Sequence, residues 1–75
     1  MTRKEYNTQF KLTEIALFAI CSRIEERKSI ALSHTLTRSL FFADIGDMES
    51  AVSRIKFVQR WIVEHNENQL ETRLN

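Results

Sequence analysis

The chain contains one glycine, Gly46, and no proline in its 75 residues. These two residue types break secondary structure more strongly than any others. A chain so poor in both is expected to form long, uninterrupted elements. No run alternates apolar and polar residues with period two between turn residues, so strands are not indicated. The pattern predicts an all-α chain with Gly46 at its clearest boundary.

Capping signals and apolar spacing place the helices. Thr2-Arg3-Lys4-Glu5 has the form of a capping box, with Thr2 at the N-cap and Glu5 reaching back to it. Tyr6, Phe10, Leu17, Ile20 and Ile24 follow on one helical stripe, with Thr13 filling its gap. They predict a first helix over about residues 3–28. Leu32, Leu36, Leu40 and Ala43 mark a second helix over about 30–44, with Ser29 and Ser33 both placed to cap its start. Gly46 stands where a left-handed residue closes a helix, and Asp47 follows as an N-cap, with Glu49 in the next first turn. Met48, Ala51, Ile55, Val58 and Ile62 give a third helix over about 47–66. Beyond Glu64 the sequence turns polar, with Leu70 and Leu74 its last apolar residues, so 67–75 reads as a loosely held or frayed tail. Three stripes joined by short turns predict one three-helix, bundle-like domain over 1–75, with the second and third helices antiparallel.

So small a body buries a modest share of its surface and usually needs a staple. Cys21 is the single cysteine, so no intrachain disulfide is available. Cys21, His34 and His65 match no zinc-ligand spacing, and neither a metal nor a cofactor is expected. Association with a second copy is the staple left, and a homodimer is the expected assembly.

The net charge is +1, with 28% charged and 43% apolar residues. That is a globular mixture without the basic excess of a chain that grips phosphates. The densest apolar run, Ile15 to Cys21, is far shorter than the ~20 residues of a membrane helix. It is also flanked by Glu14 and Arg23, unlike a secretory core. A cytoplasmic protein with no membrane association is expected.

Apolar residues left outside the core stripes carry the functional reading. Leu12, Ile15, Phe18 and Ala19 fall on the side of the first helix away from Phe10, Leu17 and Ile24. A small three-helix chain covers one side of a helix, so a second chain is expected over the other. On the third helix, Phe57 and Trp61 lie four residues apart on one face. Arg54 and His65 flank them on one side, and Lys56, Arg60 and Glu64 on the other. Large aromatics beside arginine have the composition of an interface hot spot, the alternative being ordinary core in which Trp61 covers a helix crossing. Phe41 and Phe42 are adjacent and diverge, so only one can face the core.

Catalytic equipment is not apparent. No glycine-rich phosphate loop, H-E-x-x-H, C-x-x-C or G-x-S-x-G is present. Cys21, beside Leu17 and Ile24, reads as a small buried hydrophobe, and Glu25 and Glu26 as part of a solvated face. The chain is therefore read as a non-enzymatic regulator, an adaptor or inhibitor that binds a larger protein through apolar and aromatic helix faces. Compact helical chains of this kind are common among bacterial and phage regulators.

The alternative is a dimeric nucleic-acid-binding transcriptional regulator using Arg54, Lys56 and Arg60. Gly46 between two helices and Val52 after it fit a helix-turn-helix, but that pattern wants a small residue where Phe42 stands. Glu49 and Glu64 also intermix with the basic residues, which a phosphate-contacting surface avoids.

Overall fold

A computed structural model describes residues 1–74, with side chains described through Asn68. Its elements are α1 (Arg3–Ile20), a single 3-10 turn (Cys21–Arg23), α2 (Glu26–Asp44) and α3 (Met48–Leu74). Among the described residues there is no strand.

The start of α1 is fixed by the capping box that the sequence shows. The Glu5 backbone N–H donates to Thr2 Oγ1 at 3.1 Å, and the Thr2 N–H donates to Glu5 Oε1 at 3.1 Å. Two amides that would otherwise lack helical partners are satisfied reciprocally.

The end of α1 differs from the sequence expectation. The helix stops at Ile20, not near Lys28, and α2 begins at Glu26. Ile24 keeps helical spacing with Ile20, so periodicity alone runs straight through the break. Its backbone is instead extended, with φ −117° and ψ 161°, a region that suits a β-branched side chain. The side chain stays half-buried against the core while the chain reverses beneath it. A continuous helix would carry Leu32 and Leu36 away from Leu17. Neither Ser29 nor Ser33 caps α2; the N-cap is Glu25, whose side chain makes no capping bond.

The α2–α3 turn follows the sequence closely. Gly46 adopts φ 88°, which glycine tolerates without steric cost. The Asp47 N–H donates to Phe42 O at 2.8 Å and the Gly46 N–H to Ala43 O at 3.2 Å. This pair of bonds is a Schellman closure. Asp47 then caps α3, accepting the Ser50 N–H at 3.1 Å. The third helix runs past residue 66 to Leu74. The side chains of 69–75, including Leu70 and Leu74, lie outside the described residues.

The three helices form an up-down-up bundle. Arg3 of α1 bonds Asp44 at the end of α2, 2.8 Å away, while Gln59 of α3 bonds Thr13 near the middle of α1. The core takes Tyr6, Leu17 and Ile20 from α1, Leu32, Leu36 and Ala43 from α2, and Ala51, Ile55, Val58 and Ile62 from α3.

Two polar chains cross this core. The Ser39 hydroxyl donates to Ala51 O at 2.7 Å, so Tyr6 Oη must donate to Ser39 Oγ at 2.8 Å. One buried relay thereby ties all three helices. In the second, Gln59 Nε2 donates to Thr13 Oγ1 at 2.9 Å and Gln9 Oε1 at 3.2 Å. Thr13 Oγ1 donates in turn to Gln9 O at 2.7 Å. Thr13, the polar residue in the apolar stripe, is thus a satisfied buried bridge between α1 and α3.

Candidate interaction surface

The side of α1 that faces α2 and α3 carries Tyr6, Thr13, Leu17 and Ile20. At about 100° per residue, Leu12, Ile15, Phe18 and Ala19 centre on the opposite side. Leu12 is 55% exposed, Ile15 56% and Phe18 79%. Between Leu12 and Ala19 no polar residue falls within that sector. Lys11 borders it at one end, paired with Glu14 at 3.1 Å, and Ser22 borders it at the other. The result is a continuous apolar strip along the C-terminal half of the helix.

Phe18 also borders a shallow groove between α1 and α2. Phe10, Leu17 and Cys21 line one wall, and Ser29, Ser33 and Leu36 the other. Cys21 is half-buried there as a free thiol, more open than a core hydrophobe. Ile30 on α2 is also exposed and was not singled out in the sequence. Its only signal was an isoleucine lying off the Leu32–Leu36 stripe.

The aromatic pair on α3 does not behave as a pair. Phe57 is 60% exposed, whereas Trp61 packs against the edge of the core. Four residues advance about 400°, so Trp61 stands roughly 40° nearer the Ile55–Ile62 stripe than Phe57 does. Trp61 stacks on His65 with ring centres 5.2 Å apart and planes 9° from parallel. Among the described residues, His65 Nε2 is buried without a hydrogen-bond partner.

Arg54 is already engaged, its guanidinium 4.9 Å from the Phe42 ring centre. Phe42 is half-buried and Phe41 exposed, the divergence their adjacency requires. Phe57 stands between two open grooves. Met1, Met48 and Val52 line one, and Thr35, Ser50 and Arg54 the other.

Lys56 and Arg60 are exposed on α3 but share their surface with Glu49, Glu64 and Glu67. The three basic residues of the nucleic-acid reading therefore do not converge, since Arg54 lies on the α2 side over Phe42. His34 is exposed on α2. Among the described residues, no three His, Cys, Asp or Glu side chains gather as a metal site. None of the described helices is long and apolar enough to cross a membrane.

Two carboxylates are perturbed, both by capping. Glu5 is lowered from its ordinary 4.5 by the hydrogen bonds it shares with Thr2, the backbone one first. Asp47 is lowered from 3.8 by bonds from Ser50, its side chain first and its amide second. Both shifts come from helix starts and lie away from the Leu12–Phe18 strip. What the surface offers is therefore exposed apolar area, greatest along the Leu12–Phe18 strip. No family model matches the chain, and no curated protein or solved structure matches it either.

Proposed function

We propose that this chain is a non-catalytic regulator that works by binding protein, both a second copy of itself and a larger partner, through exposed apolar helix faces. One observation carries the reading: the exposed strip of Leu12, Ile15 and Phe18 on the side of α1 opposite its core. The bundle closes without these residues, since α1 packs through Tyr6, Thr13, Leu17 and Ile20. Contiguous apolar surface of this kind marks association sites in soluble proteins. Each large side chain moved from water into a contact contributes roughly 1.5–3 kcal/mol. The nucleic-acid reading has less support, because Lys56 and Arg60 are interleaved with carboxylates and Arg54 is held by Phe42.

The test is the Leu12→Glu/Phe18→Glu double variant. The core of the bundle is untouched, so the variant should keep its helicity, while its melting loses the dependence on chain concentration that association confers. Its solution mass, or the set of proteins that co-purify with it from its source cells, should change. A complex lost in this way should then be rebuilt from purified wild-type chains. If the variant unfolds while the wild type stays folded as a dilute monomer, α1 is buried on both sides within one chain and the reading fails. It fails equally if mass and co-purifying proteins are both unaltered.

A further inference from the structure

Resting on that reading, we propose that the apolar strip of α1 is covered by α1 of a second copy, packed antiparallel about a two-fold axis at Ile15. The strip has the symmetry such a pair requires. Leu12 and Phe18 lie about one turn to either side of Ile15, all three more than half exposed. Antiparallel packing sets Ile15 against its own counterpart and each Leu12 against the other copy's Phe18. The contact is then isologous, the same patch serving both partners.

Charge selects the direction. Lys4 and Lys11 both fall near the middle of the far side of α1, towards its N-terminal half. A parallel pair would set Lys4 against Lys4 and Lys11 against Lys11 along the whole seam. An antiparallel pair separates them and brings Lys11 against the small Ala19. It also brings Lys4 to the opposite end of the partner's α1, beside which α2 begins at Glu26. Glu26 is exposed and lies on the flank of α2 that faces Phe18, because Ser29 and Ser33, about one and two turns on, line the groove with Phe18. Arg27 is turned about 100° away from that flank. Among the described residues neither Lys4 nor Glu26 has an ion-pair partner, which leaves both to pair between copies. Exposed Ile30, on the same side of α2, extends the apolar contact.

Light scattering over a concentration series should give twice the chain mass for the purified protein, and Ile15→Lys should reduce it to a monomer with unchanged helicity. Direction is read by cross-linking in a Cys21→Ser background. Leu12→Cys and Phe18→Cys chains, mixed and mildly oxidised, should form a disulfide-linked heterodimer. Either alone should link poorly, because its two copies of the thiol lie too far apart along the seam for disulfide geometry. Should Ile15→Lys fail to fold, charge exchange decides instead. Lys4→Glu should weaken the dimer several-fold, and adding Glu26→Lys should restore it.

A wild-type monomer at all concentrations overturns the proposal. So does a dimer that survives Ile15→Lys, or one in which Leu12→Cys links to itself more readily than to Phe18→Cys. A charge exchange without rescue overturns the antiparallel register. A monomer whose partner protein is lost on Leu12→Glu/Phe18→Glu substitution would leave the protein-binding reading standing while removing this one.

Discussion

The end of the bundle at Gly46 and the end at Cys21 reverse the chain by different means. At Gly46, hydrogen bonds define nearly every step: the Thr2–Glu5 box, the Schellman closure, the Asp47 cap and the Arg3–Asp44 ion pair. The Tyr6–Ser39–Ala51 relay lies just inside. At Cys21, one 3-10 turn and an extended Ile24 carry the chain into a helix whose N-cap side chain makes no capping bond. Apolar packing of Ile20 and Ile24 holds that end. Directional bonds fix the register of a turn, while packing alone tolerates small shifts. The apolar strip with Phe18 adjoins the end held by packing, where a binding partner can adjust it most cheaply.

The largest difference between the ends should appear in Ser39→Ala. Ser39 is fully buried, and its loss leaves Tyr6 Oη without a partner among apolar side chains. An orphaned buried hydroxyl costs about 1–3 kcal/mol. In a chain of this size each kcal/mol lowers the melting temperature by roughly 4–8 °C. Adding Tyr6→Phe removes the orphan and should recover part of the loss, because deleting both partners is milder than deleting one. If Ser39→Ala melts like the wild type, the relay does not stabilise the Gly46 end and the contrast disappears.

Smaller effects of opposite sign should follow from editing the two reversals themselves. Gly46→Ala meets no atom within 4 Å of the added Cβ, so its cost is backbone strain at φ 88° alone. That strain is worth about 1–2 kcal/mol. Glu25→Ser should instead stabilise by about 0.5–1 kcal/mol, by supplying the N-cap that α2 lacks. Chemical denaturation of both variants measures the pair. Equal destabilisation by the two would mean that the Cys21 end is as finely specified as the other.

This asymmetry also explains which features were legible in the sequence. Glycine, aspartate and the threonine–glutamate pair each encode a local backbone state, so α1's start and the α2–α3 turn could be read residue by residue. The reversal at 21–25 has no such residue. Ile24 continues the helical stripe in sequence yet is extended in space, because tertiary packing and not local preference sets its conformation. Serines at 29 and 33 looked like caps but lie inside α2. The far-side strip of α1 was visible because helical spacing alone separates Leu12, Ile15 and Phe18 from the core. The splitting of Phe57 from Trp61 was not visible, since two residues on one face were assigned one fate. The surplus of about 40° in a four-residue step separates them, turning Trp61 to the core edge and leaving Phe57 outside it.

Acid should produce the smallest effect, and it should act on the Gly46 end. Glu5 and Asp47 both belong there, and both have carboxyl groups held below their ordinary values by capping bonds. A group whose folded value is depressed adds stability that is fully present above its unfolded value. That stability is lost as pH falls through the folded value. The contribution should therefore be complete above 4.5 for Glu5 and above 3.8 for Asp47, and should fade on further acidification. Glu5 is exposed and Asp47 half-buried, both at the surface, so the loss is shallow and screened by salt. Thermal melts from neutral pH downward should show the acid limb, and Asp47→Asn should flatten it, because an asparagine side chain still caps but does not titrate. Amide exchange locates the loss more sharply than melting does. The Ser50 and Glu5 amides, which bond the two caps, should lose protection before the amides of Leu32 or Leu36. Protection lost first around Glu26 would place the acid-sensitive step at the Cys21 end and reverse the assignment.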